Sequence, residues 1–144
     1  MNKLNKLIYI FILLISINSQ AQTFNPSQLI GTKWQRVERF SDPTIKWEFS
    51  KEDISETVNR KNINKTVSHT RKYYFSPTAP IKFDWNKVGK CDSGKYLVYY
   101  NDISKRMSYL KIESVSNDTL KFWHEANPDA IGDVSRYVLY KRIK

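Results

Sequence analysis

Beyond residue 21 no part of the chain sustains a helical hydrophobic period over three turns. It runs instead as short segments of alternating apolar and polar residues, punctuated at intervals of roughly 8–12 residues by Gly, Pro, Asn, Asp and Ser. Alternation with period two puts successive side chains on opposite faces of an extended strand, so each segment offers one face to a core and one to water. The clearest case is a hairpin near the C-terminus, where residues 109–115 and 119–123 flank the turn residues Ser116, Asn117 and Asp118. Leu110, Ile112, Leu120 and Phe122 share its inward face, and Lys111, Glu113 and Lys121 point outward. Extended segments are also expected at 32–40, 45–49, 54–59, 66–75, 81–85, 96–100 and 135–143. A single helical turn, capped by Ser27 and ended by Gly31, precedes the first of them. About eight or nine short strands and no long helix point to an all-β antiparallel sandwich or barrel.

The first residues read as an address. Lys3 and Lys6 precede an apolar run from Leu7 to Ile17 broken only by Ser16, and Ser19, Gln20 and Ala21 follow with small residues where a signal peptidase reads. Residues 1–21 are therefore expected to be a signal peptide cleaved after Ala21, leaving residues 22–144 as one secreted or periplasmic domain. The run is much shorter than the ~20 apolar residues of a spanning helix. No cysteine follows it to carry a lipid. Cleavage takes two lysines and no acid from a chain of formal net charge +10.

The same parity predicts an aromatic interior: Trp47 and Phe49 on one strand, Tyr73 and Phe75 on another, Tyr96, Val98 and Tyr100 on a third. The chain holds 4 Trp, 9 Tyr and 7 Phe, too many for a disordered polymer. Such side chains either fill a barrel completely or wall a cavity with rings and a few hydroxyl groups, and the residues leave both readings open. In the second reading the lining is Trp47, Tyr73, Tyr96, Tyr100, Phe122 and His124.

The stretch Leu29-Ile30-Gly31-Thr32-Lys33-Trp34 resembles the G-x-W opening of lipocalin-type barrels. Trp47-Glu48-Phe49-Ser50, Gly94-Lys95-Tyr96-Leu97-Val98, the hairpin from Leu110 to Phe122 and the closing Tyr137-Val138-Leu139-Tyr140-Lys141-Arg142 are similar, in order, to small secreted bacterial lipocalin-like domains. The resemblance covers nearly all of residues 22–144. It implies a single antiparallel up-and-down β-barrel of about eight strands, with Trp34 closing one end beneath a late-strand arginine matched by Arg142. It also implies binding of a small apolar or amphipathic molecule inside the barrel, with no fixed chemistry. The further glycine motifs of larger lipocalins are not evident, which counts against a deep transport-type cup.

Little in the chain suggests catalysis, and no cofactor or metal is expected. Gly31, Gly89, Gly94 and Gly132 never fall at phosphate-loop spacing. His69 and His124 lie on different expected strands without a metal-ligand partner at i+2 or i+4. Cys91, the only cysteine, sits in an expected turn and reads as an unpaired thiol, with an intermolecular disulfide or a thiol activated by Lys90 and Lys95 as alternatives. Glu52, Asp53 and Glu56 form no recognisable catalytic pair. An enzyme would need a pocket joining His124 to an acid or to Cys91.

Positive charge is concentrated where acids are missing. Between Glu56 and Asp84 there is none, while Arg60, Lys61, Lys65, Arg71 and Lys72 fall on one expected hairpin and Lys82 follows. This is either a solvated basic edge that discourages strand pairing or a patch for an anionic envelope partner such as a lipid head group, an acidic polysaccharide or an acidic protein. Export, and the lack of a recognition helix or RNA-binding motif, argue against nucleic acid.

Overall fold

The computed structural model describes residues 25–38, 41–90 and 93–144. The expected signal segment and Cys91 lie outside them. Eight strands follow in chain order: β1 (Lys33–Arg36), β2 (Thr44–Phe49), β3 (Asp53–Arg60), β4 (Lys65–Ser76), β5 (Tyr96–Asn101), β6 (Arg106–Val115), β7 (Thr119–His124) and β8 (Arg136–Ile143). Each pairs antiparallel with the next, and β1 pairs with β8, so the sheet closes as an up-and-down barrel without a crossover.

At one end, a 3-10 turn at Pro26–Gln28 lies under the barrel and drives Leu29 into it with no exposed surface. Asn25, rather than Ser27, caps this turn: its side-chain oxygen accepts from the Ser27 amide at 3.0 Å and the Ser27 hydroxyl at 2.8 Å. Pro26 supplies the fixed φ that a first helical position favours. Trp34 is 1% exposed, and its indole N–H donates to the Thr32 hydroxyl at 2.6 Å. Across from it in register lies Arg142, whose guanidinium donates to the Asn117 carbonyl at 3.4 Å. Pro26, Leu29 and Trp34, all buried, close this end, and a residual void beside Pro26 and Ile30 is ≈ 10 Å³, about one water. The opposite end carries the β3–β4 and β5–β6 turns and the connections from β1 to β2 and from β7 to β8.

The C-terminal hairpin matches the period-two expectation, with Ile112 opposite Phe122 and Leu120 fully buried. A bulge between Ile112 and Ser114 keeps Val115 opposite Leu120. Residues 81–85 differ: they form no strand, but a segment ending in a 3-10 turn at Trp85–Lys87, capped by the Asp84 carboxylate on the Asn86 amide. Pro77 and Pro80 remove the amide donors a ladder would need there. This segment lies on the outside of β4 and β5, where Phe83 meets the rings of Tyr74, Trp85 and Tyr100 at 4.8–5.3 Å.

That apron explains a second difference. Leu97 and Val98 are both fully buried although they face opposite ways, so β5 has no polar face for alternation to report. The inward residues of β5 are Leu97 and Tyr99, which stand opposite Phe75 and Tyr73. Tyr96, Val98 and Tyr100 face outward, against the apron and against Tyr109 of β6. The end of the apron is pinned by close approach. A Cβ on Gly94 would lie 2.6 Å from both the amide nitrogen and the carbonyl oxygen of Ser76. Gly94→Ala should therefore destabilise the fold by about 2 kcal/mol or more, read as a lowered urea midpoint.

Candidate functional site

The barrel interior is divided by Trp47. Its ring lies 4.7 Å from Tyr140 and about 6 Å from Phe49, Tyr99 and Phe122. Below it, towards the closed end, Phe49, Tyr73 and Phe75 continue edge-to-face at 5.6–5.7 Å. Each such pair adds about 0.5–1.5 kcal/mol beyond the area it buries, so this half is a solid aromatic core. Above Trp47 the inward-facing residues change character. Ile45, Val58 and Val67 alternate with Arg36, Glu56, Arg71 and Tyr99, and all are only partly buried.

A polar network sits on this aromatic floor. Glu56 is divided between two donors: the Trp47 indole N–H reaches one carboxylate oxygen at 2.7 Å and an Arg71 Nη2–H the other at 2.6 Å. The Glu56 and Arg71 side chains keep 12% and 15% of their surface exposed, so neither charge is fully solvated. Because Glu56 spends its second oxygen on Trp47, Arg71 gains one bond where a carboxylate usually gives two. Its Nε–H is buried and has no hydrogen-bond partner among the described residues, a shortfall typically worth about 1–3 kcal/mol. The guanidinium lies 5.3 Å from the centre of the Tyr99 ring. Arg36 approaches from β1, bridged to Glu38 at 2.8 Å.

The residues anticipated as lining divide between the two faces. Trp47, Tyr73 and Phe122 are inside, in the filled half or at its floor. Tyr96 and Tyr100 are on the outer wall. His124 stands at the open rim, its Nε2 at 2.8 and 3.0 Å from the Asp133 carboxylate. Asp133 also accepts the Asn127 amide, the largest cause holding its carboxyl below the ordinary range, with His124 next. The pair fastens the β7–β8 loop to the rim. His124 thus does meet an acid, within a loop clasp that also holds Arg136 at 3.7 Å.

The basic residues of the β3–β4 hairpin have three destinations. Arg60, Lys61 and Lys65 are exposed at its tip, where the Lys61 amide donates to Asp42 at 2.8 Å. Arg71 points inward. Lys72 points outward between Glu52 and Asp53, at 3.2 and 3.0 Å, and these bonds, Asp53 first, raise its pKa. Sequence reading missed the inward roles of Glu56, Arg71 and Tyr99. The signal was present: the parity that sends Tyr73 inward also sends Arg71 and His69 inward, and Ile54 carries Glu56 with it.

Among the described residues no group of three or more His, Cys, Asp or Glu is placed to hold a metal, and no helix is long and apolar enough to cross a membrane. A surface cleft of ≈ 470 Å³ between β1, β8 and residues 41–44 lies outside the barrel. No family model, curated protein or solved structure matches the chain.

Two phenols in the interior tie stability to alkaline pH. Burial, the largest cause, pushes Tyr99 and, further, Tyr140 above the ordinary value of 10.0, while Arg71 and Arg36 respectively pull the other way and lose. The unfolded chain ionises these groups first, so the fold's advantage is complete below about pH 10 and declines above it. The urea midpoint should hold level to about pH 9.5 and then fall, and Tyr140→Phe should make that fall shallower.

Proposed function

We propose that the chain is an exported, lipocalin-like, non-enzymatic binding protein that takes a small amphipathic molecule into the open half of its barrel. The observation that carries this reading is the partly exposed inward face of the open half. Ile45, Val58 and Val67 point into the barrel yet keep part of their surface exposed, above a floor that is solidly packed. Apolar walls with a few convergent polar groups are the ordinary make-up of a small-molecule site. The G-x-W opening at Gly31–Trp34 and the eight-strand closed barrel support the lipocalin likeness, and the Lys3–Ala21 pattern supports export.

The protein recovered from its native host should begin at Gln22 by intact mass and bind cis-parinaric acid saturably, with quenching of tryptophan emission. The double variant Val58→Phe/Val67→Phe fills the cup from facing positions. It should weaken binding about ten-fold or more with an unchanged melting curve. No binding by the unaltered protein, or equal binding by the variant, would remove this reading.

A second reading is favoured by the tip of the β3–β4 hairpin, where Arg60, Lys61 and Lys65 remain exposed together. Such a tip suits an anionic envelope partner. Reversing these three charges should abolish salt-sensitive retention on an acidic polysaccharide column.

A further inference from the structure

Arg71 and Glu56 specify what kind of amphiphile the cup takes, on the reading that the cup binds one at all. Among the described strand residues, Glu56 is the single acid at an inward-facing register position. The cations at such positions around the open half are Arg36, Arg60, Lys65, Arg71, Arg106 and Arg136. Arg36 and Arg136 are met by Glu38 and Asp133, and the remaining cations, with a partly buried guanidinium below them, favour an anionic visitor over a neutral or cationic one. Arg71 is also geometrically incomplete: Glu56 takes only Nη2, because its other oxygen is held by Trp47, and the buried Nε–H has no partner among the described residues. The Nε and Nη edge of a guanidinium matches the two oxygens of a carboxylate, and a pair formed there is bidentate.

We propose that Arg71 anchors the carboxylate of an acid-headed amphiphile that enters head first, and that Glu56 is its internal competitor, occupying Arg71 in the empty barrel. The carboxylate lies on the floor beside Tyr99, and the apolar chain runs back to the mouth along Val58 and Val67. Val67 and Arg71 are four residues apart on β4, so the chain has ~13 Å of wall to follow.

The test compares decanoate with decanol, matched in length but differing in charge, by calorimetry on the full protein. The unaltered barrel should prefer decanoate about ten-fold. Glu56→Gln, which removes the competitor, should tighten decanoate and leave decanol unchanged. Arg71→Gln alone strands the Glu56 carboxylate, so the double variant Arg71→Gln/Glu56→Gln is measured beside it. It should bind decanol as before and lose the preference for the acid. Equal affinities for the two probes in the unaltered protein, or a preference that survives the double variant, would overturn the anchor and leave the cup standing. Failure of both probes to bind would overturn the cup and the anchor together.

Discussion

The indole of Trp47 is the point on which the interior turns. Its ring is packed by Phe49, Phe122, Tyr99 and Tyr140, and its one polar atom is spent on Glu56. A buried indole N–H needs an acceptor, and supplying it with a carboxylate draws a charge into the barrel. That charge in turn requires a cation, which Arg71 provides from the neighbouring strand. The polar network is thus a consequence of placing a tryptophan at the mid-height of a small barrel. Below that level rings fill the space; above it stands the pair of Glu56 with Arg71.

Most of the architecture was legible because alternation is a local property. Residues 109–123 show it undisturbed: the strands, their turn and their inward set follow from spacing alone, save for the bulge beside Glu113. The apron at 77–95 was not legible. Ile81 and Phe83 carry strand-like alternation, but whether such a segment joins a sheet or lies across one depends on distant partners. Its position on the outer wall made Tyr74 and Val98 buried from outside, and β4 and β5 lost the polar face by which inside is told from outside. The assignment of Tyr96 and Tyr100 failed for that reason. The inward set at the open half was recoverable in principle, since Glu56 and Arg71 obey the same parity as Ile54 and Tyr73. Charge type argued against placing them inside, and the pairing that makes it affordable joins residues 15 apart on adjacent strands.

The fate of the basic stretch shows how little linear clustering says about a surface. Residues 60–72 carry five cations in sequence, yet Arg71 is paired with an acid inside the barrel, Lys72 is held between two acids outside, and three remain exposed at a hairpin tip. A strand turns neighbouring side chains to opposite faces, so Arg71 and Lys72, adjacent in the chain, are separated by the thickness of the sheet. Arg60, Lys61 and Lys65 come together because the turn sets the end of β3 beside the start of β4.

Closure through β8 has a consequence for how such a chain keeps company with itself. Arg136–Ile143 hydrogen-bonds to β7 along one side and to β1 along the other. Until it is seated, the sheet has two unsatisfied margins, each a row of amides and carbonyls able to recruit a strand from another molecule. The register that sets Trp34 opposite Arg142 therefore separates a self-contained particle from a polymerising one. Damage to the last strand would be felt first as association between chains, before any loss of the aromatic core.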